Sequence, residues 1–409
     1  MQHKAVCDDG LLFLWNCHLM PYQRLSPKDA ALFADKHSDL FGDHSQLSAE
    51  QLDTTGLNQV FRVKNNRGTS LIVKQALPEH SGLTQHWPVS LHRAQIEADV
   101  LKHQAKICPE YLVEVLFYDQ ELAALLLEDL SDCYVLRTAF RTGQQPQHIG
   151  IHLGRYLAKT SFYSSDFVLT GPVKKARQLQ FNNPELCLVT EDLVFTDPYC
   201  NHERNSLSFA HLPQVRELWF NEELQAEVAQ LKADFLAKPQ ALLHGDLHCG
   251  NILVSHEEYK IIGAEFGCYG PIAFDAGTFI ASLILNLMTQ NPAKTASMRP
   301  YLSNQIDLFW REFSVVFSTL MQKETKDQSF QNSVYQQRFL QQLWQDTLGY
   351  AGCELIRRTV GWAPALELQQ LNDAGFKLQV QRQLLALGQD LIMHRQQITP
   401  AHLLEKLAQ

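Results

Sequence analysis

Residues 244–251 read His-Gly-Asp-Leu-His-Cys-Gly-Asn and 252–254 read Ile-Leu-Val; a polar stretch leads to Tyr-Lys-Ile-Ile-Gly-Ala-Glu-Phe at 259–266 and Tyr-Gly-Pro-Ile-Ala-Phe-Asp at 269–275. Moving a phosphoryl group onto a hydroxyl needs one carboxylate to orient and deprotonate that hydroxyl. It also needs an oxygen ligand close by for the magnesium that bridges the nucleotide phosphates. Asp246 and Asn251 supply an acid and an amide oxygen five positions apart. Ile252, Leu253 and Val254 on one side and Ile261 and Ile262 on the other flank residues 255–260 like the strands of a short hairpin. Such a hairpin returns the chain after Ile262 to the side of Asp246. The position reached there is Gly263, followed by Ala264 and Glu265. His244, His248, Cys249 and Cys268 are zinc-ligand residue types, yet no Cys-x-x-Cys pair or comparable spacing supports a metal centre of that kind.

The Asp-to-Asn spacing is that of a kinase catalytic loop. Through His244-Gly245-Asp246-Leu247-His248 and Asn251, the segment resembles the aminoglycoside-phosphotransferase-like kinases. Through Glu265-Phe266, Tyr269-Gly270-Pro271 and Phe274-Asp275, it resembles the methylthioribose kinases in particular. That family normally carries Asp-Pro where this chain has Gly263-Ala264, and usually Ser where Asn251 stands.

The wider chain is consistent with this resemblance. At 409 residues, 45% hydrophobic and 19% charged, it is long enough for two or three packed units around an ample core. A net charge of −9 without a basic run argues against nucleic acid or an anionic membrane as the main partner. The nine cysteines are scattered and odd in number, the usage of a reducing compartment. The apolar run from Leu11 to Trp15 follows two acids and does not read as a signal peptide, and Phe279 to Met288 is too short to span a membrane. A cytoplasmic protein is expected.

Ser26-Pro27-Lys28-Asp29 reads as a helix start, with the helix running towards Leu40. Residues 52–63 read as a phosphate-covering loop with a single glycine, Gly56, between strands. Ser70 to Lys74 is a β-type run ending in a lysine, and 91–107 has helical spacing, so that Glu97 can pair with Lys74. Two further strands, 113–118 and 122–127, end at Glu128-Asp129-Leu130-Ser131. Beyond them the pattern is mainly helical, with Asp197 read as an Asx-turn or packing residue and Asp275 as an anchor for the catalytic loop. Arg357 and Arg358 close a long helix; neighbours on a helix point about 100° apart, so they seldom share one surface salt bridge but can converge on a substrate.

The resemblance implies an α+β, protein-kinase-like two-lobe fold: 1–127 as an N-lobe with an antiparallel sheet, 128–132 as hinge, and 133–409 as a helical C-lobe. It implies ATP and Mg²⁺, and phosphorylation of the anomeric hydroxyl of S-methyl-5-thioribose in methionine salvage. Asp246 would be the catalytic base. Asn58, Lys74, Glu128, Asp129, Leu130, Gly263, Ala264 and Glu265 would bind ATP, Asn251 and Glu265 the metal, and Asp246, Arg357 and Arg358 the sugar. A homodimer is also implied. Gly263 opens a second reading, a nucleotide- or sugar-binding pseudokinase, and a third is a kinase of another small alcohol on the same fold. Losing one carboxylate worth roughly 3–4 kcal/mol in the transition state slows a reaction about 10²–10³-fold, which leaves a slow enzyme rather than none.

Overall fold

The computed structural model describes residues 22–42, 46–53, 57–78, 86–87, 89–206, 213–256, 258–290 and 297–408. The apolar run at 11–15 and residues 54–56 of the phosphate-loop segment lie outside them.

Strands β1 (Leu47–Asp53), β2 (Asn58–Asn65), β3 (Ser70–Ala76), β4 (Val115–Asp119) and β5 (Ala124–Glu128) form one antiparallel sheet in the order β1-β2-β3-β5-β4. Alternation along these strands decides which face each side chain joins. Phe61, Val73 and Leu126 sit opposite one another on neighbouring strands and pack with Phe33 and Ala34 of the helix Pro27–Lys36. The intervening residues Val60, Arg62, Ile72 and Lys74 turn to the other face, where they line a cavity. The helix opens as its sequence predicts. Ser26 accepts from the Asp29 amide and Asp29 accepts from the Ser26 amide, a reciprocal cap. It stops at Lys36 instead of reaching Leu40, and a separate short turn covers Asp39–Phe41.

The helix His92–Ala105 crosses the cavity side of the sheet, with Ile96, Glu97, Val100 and Leu101 buried. After β5 the chain is mostly helical. A three-stranded sheet of β6 (Tyr134–Val135), β8 (Ile252–Val254) and β9 (Tyr259–Ile261) and a two-stranded one of β7 (Ala241–Leu242) and β10 (Tyr269–Gly270) carry the motif segment. The expected hairpin is present, with Ile252 opposite Ile261, although Tyr259 and Lys260 rather than Ile262 complete its second strand.

The helix Ile272–Met288 is buried at every position and lies in the centre of the C-terminal core beside Ser333–Val360. Its burial on all sides explains so long a predominantly apolar run. No helix among the described residues is long and apolar enough to cross a membrane. The seven described cysteines are all free thiols. The architecture is the α+β, protein-kinase-like one: an antiparallel sheet followed by a larger helical part.

Candidate active site

A cavity of about 770 Å³ opens between the sheet and the helical part, and every residue expected at the site except Ala264 lines it. Ala264 is fully buried behind the turn that carries Glu265.

The catalytic-loop stretch is fixed from behind. Asp275, at the start of the central helix, accepts from the amides of His244 at 2.7 Å and Gly245 at 3.0 Å, which makes it the anchor the sequence suggested. Burial pushes the Asp275 carboxyl up to about 7 against the pull of those two donors. His244 has no exposed surface; its Nε2 lies 2.9 Å from the Ile262 carbonyl, and its Nδ1 accepts from the Asp246 amide at 3.2 Å. Burial lowers its ring to about 4, so it stays uncharged and carries its proton on Nε2.

Asp246 receives three side chains. His248 Nε2 lies 3.3 Å from Oδ2, Asn251 Nδ2 donates to the same oxygen at 3.2 Å, and Arg358 Nη2 donates to Oδ1 at 3.3 Å. Burial alone would raise this carboxyl, but His248 and the two arginines together hold it well below the usual carboxylate range. Asp246 is therefore ionised and oriented, and a weak proton acceptor at rest.

Arg357 and Arg358 correct one expectation. Both share a single carboxylate: Glu354 accepts from Arg357 Nε at 2.9 Å and from Arg358 Nε at 2.7 Å, one turn back on their own helix. Residues three and four apart lie on one helix face, so one buried acid holds both guanidinium stems while their remaining N–H groups face the cavity. Glu354 itself was missed in the sequence. Its signal was the Glu-x-x-Arg-Arg spacing.

On the sheet side Lys74 Nζ bonds both oxygens of Glu97 at 2.6 and 2.7 Å, the pair the sequence proposed. Burial works against the ammonium, but Glu97 and Glu265 beside it raise its pKa and keep it charged. Asn58 donates to Glu265 at 3.2 Å, and Glu265 also lies 3.7 Å from Arg93 Nε. Arg93 was not singled out, although it shares a helix face with Glu97. It is 1% exposed and ties down the Leu57 and Leu77 carbonyls, at the end of the phosphate-loop segment and just beyond β3.

At the expected hinge the acidic side chains are occupied. Asp129 accepts from Arg62 at 2.9 Å and Ser70 at 2.6 Å, and Glu128 accepts from the Glu114 amide at 2.8 Å. Asp197 also departs from expectation: instead of closing an Asx-turn it is a buried ion-pair partner, held by Arg204 Nε at 2.7 Å and Nη2 at 2.8 Å. Arg204 in turn stacks over Trp87 at 4.5 Å, and Trp87 donates to Asp192 at 2.9 Å.

Gly263 adopts a left-handed φ of +76°, and a Cβ there would stand 3.1 Å from Asn251 Oδ1. The position is thus both conformationally suited to glycine and closed in by the amide facing it. Among the described residues no three His, Cys, Asp or Glu side chains converge as a protein-only metal cage. The oxygens offered are those of Asn251 and Glu265. Magnesium usually takes one or two carboxylates and fills its shell with phosphates and waters, so this sparse set fits an ion shared with a nucleotide and not one held by protein alone.

Residues 48–294 match the phosphotransferase enzyme family (APH). The methylthioribose kinase of Pectobacterium carotovorum subsp. carotovorum (strain PC1) is 41% identical over 377 residues, covering 91% of this chain and 94% of the relative. That of Yersinia enterocolitica serotype O:8 is 41% identical over 378 residues with the same coverage. A solved choline kinase from Cryptosporidium parvum overlaps 92% of this chain and 99% of its own, at 12% identity and a TM-score of 0.48. The family match and the two methylthioribose kinase relatives lead, with the catalytic-loop geometry, to one assignment: the chain belongs to the phosphotransferase enzyme family and, within it, to the methylthioribose kinases.

Proposed function

We infer that the protein transfers the γ-phosphoryl group of ATP to the anomeric hydroxyl of S-methyl-5-thioribose, a step of methionine salvage. The observation that carries this is the meeting of Asp246, Arg357 and Arg358 on the cavity that Lys74 also faces, in a chain 41% identical to methylthioribose kinases. The acceptor hydroxyl is oriented by Asp246. An anomeric hydroxyl is more acidic than a plain alcohol, so a carboxylate held this far down suffices as its proton acceptor. Arg357 and Arg358, already fixed by Glu354, present N–H groups to the charge that spreads over the transferred phosphoryl oxygens, the part an arginine finger plays in cis.

Lys74, kept charged by Glu97, pairs with the nucleotide phosphates. The Glu128 and Asp129 side chains are engaged elsewhere, and the Glu128 amide already donates to the Glu114 carbonyl, so the adenine edge is read by the remaining backbone groups of 128–130. Asn251 and Glu265 would hold Mg²⁺, which offsets negative charge on the phosphates. To do so, Glu265 exchanges its contacts with Asn58 and Arg93 for the metal. The sheet through residue 127, the hinge at 128–132 and the helical remainder act as the two lobes of this site. A homodimer and a cytoplasmic location belong to the same reading.

The test is ADP release with methylthioribose, ATP and Mg²⁺, comparing the chain as it stands with Gly263→Asp. Turnover by the unmodified chain establishes the kinase and shows that Asn251 and Glu265 suffice for the metal. Turnover only in the variant makes it a kinase scaffold disabled at one ligand, the pseudokinase reading. No turnover in either points to another small alcohol as acceptor.

A further inference from the structure

One side chain beside the cavity has no part in the mechanism above. His248 touches the reacting carboxylate, yet it projects from a loop whose far side is held by residues outside the cavity. Its Nδ1 faces two donors: the Gly250 amide at 2.8 Å and Arg137 Nη2 at 3.4 Å. A ring nitrogen that receives N–H groups must present its lone pair, so the ring carries its proton on Nε2. Nε2 lies 3.3 Å from Asp246 Oδ2. The tautomer is thus chosen by the residues behind the ring, and the choice aims a donor at Asp246.

The lock is itself anchored. Arg137 Nε donates to Glu367 at 2.8 Å, and Glu367 also accepts from Asn286 Nδ2 at 3.2 Å, on the fully buried central helix. A Cβ on residue 250 would stand 2.5 Å from the ring Cε1 and 2.6 Å from Arg137 Nη2, so only glycine lets amide, ring and guanidinium meet. With Asn251 also donating to Oδ2, that oxygen has two protein donors, while Oδ1 has Arg358 alone. Oδ1 keeps the free acceptor capacity for a substrate hydroxyl.

We propose that His248 is a positioning residue for phosphoryl transfer: locked as the Nε2–H tautomer by Gly250 and Arg137, it fixes the Asp246 carboxylate so that Oδ1 faces the acceptor hydroxyl. This rests on the kinase reading for its consequence in turnover, but not for the state of the ring. Without the ring, Asp246 retains its charge and its other two partners and loses one of three restraints. Misplacing a reacting group by about 1 Å costs on the order of 10²-fold in rate.

The experiment compares His248→Leu and His248→Gln with wild type in methylthioribose-dependent ADP release. Histidine-labelled wild-type protein is studied in parallel by long-range ¹H–¹⁵N NMR, with the His248 signal assigned from its loss in His248→Gln. The Leu variant is expected to lose roughly 10- to 100-fold in kcat with KM for both substrates little changed. Gln, whose side-chain amide keeps an N–H near the Nε2 position, is expected to recover most of that loss, which a packing role would not produce. NMR is expected to show the ring proton on Nε2, with Nδ1 accepting from the Gly250 amide. Wild-type kcat in the Leu variant, a loss confined to KM, or a folded Gln variant as impaired as Leu overturns the proposal. So does a proton on Nδ1. If the Leu variant does not fold, the Gln variant and the ring signal decide. If wild type itself releases no ADP with methylthioribose, the kinase reading fails on its own, and the NMR tautomer still decides whether the ring is locked as described.

Discussion

The cavity has a charged cluster on each side, and the two are assembled differently. On the acceptor side, Glu354, Arg357 and Arg358 come from consecutive turns of one helix, so ordinary helix geometry brings the acid and both cations together. On the nucleotide side, Lys74 belongs to a strand, Glu97 and Arg93 to a helix, and Glu265 to a turn far along the chain. Arg93 and Glu97 share one helix face, but nothing local joins that pair to Lys74 or to Glu265. They meet only if the helix packs on the sheet and the helical part closes against both. The acceptor cluster is therefore a property of a helix, and the nucleotide cluster a property of the fold.

Removing the group that the acceptor cluster serves should have the largest effect. Asp246→Asn keeps shape and hydrogen bonding but has no charge to accept a proton, and ADP release with methylthioribose should fall about 10²–10⁴-fold while the protein still melts cooperatively. Equal loss from the corresponding change at Lys74 would erase the functional contrast between the two sides.

Glu354→Gln tests the acceptor cluster as a structural unit. It leaves two neighbouring guanidinium groups, each less than a fifth exposed, without their shared counter-charge. Breaking a buried pair in this way typically costs about 3–5 kcal/mol, measurable as a lowered urea midpoint. Glu97→Gln should do less to stability, because Lys74 still has Glu265 near it. Its effect should fall on binding of a fluorescent ATP analogue, roughly ten- to a hundredfold for the loss of a charge-assisted hydrogen bond worth about 1.5–3 kcal/mol. A stability loss as large as that of Glu354→Gln would show that the nucleotide cluster also holds the fold together.

Acid should separate the sides further. His244 has its pKa lowered to about 4 by burial, against an ordinary value of 6.5. The unfolded chain therefore binds a proton that the folded one refuses between those values. The stability this contributes is fully present above about pH 6.5 and is lost as pH falls towards 4, by up to about 1.4 kcal/mol per unit. Asp275, raised to about 7, contributes in the opposite sense and must be removed by difference. Urea midpoints at pH 7 and pH 5 should therefore fall more for wild type than for His244→Asn, whose oxygen can still accept from the Asp246 amide.

The smallest expected effect is at Gly263. Placing Asp there puts a side chain in the left-handed region and within 3.1 Å of Asn251 Oδ1, and should cost on the order of 1–2 kcal/mol of stability. Asn251→Ser in the same chain should recover part of that loss by making room, which thermal melts of the single and double variants can measure.

Much of the acceptor side was legible in the sequence. The spacing of Asp246, Asn251 and Asp275, the hairpin that returns the chain after them and the Arg357-Arg358 pair are short-range patterns. The structure places them where those patterns imply. The Lys74–Glu97 pair was legible only because a strand ending in lysine and a helix with an inward glutamate fit a known arrangement. Arg93, Glu367 and Arg137 were not legible. Each looks like one more solvated charge until packing buries it. Asp197 was misjudged for the same reason, since its partner Arg204 becomes visible only once Asp197 is seen to be buried.

The sequence by itself determined the strands and helices, the catalytic-loop motif and the arginine pair, because these depend on periodicity, capping and spacing within a few turns of chain. Only the tertiary structure decided which charges are paired, which nitrogen of His244 and His248 holds its proton, and that Gly263 faces Asn251. Those outcomes depend on burial and on contacts between distant segments, and burial is what turns an ordinary side chain into a fixed one.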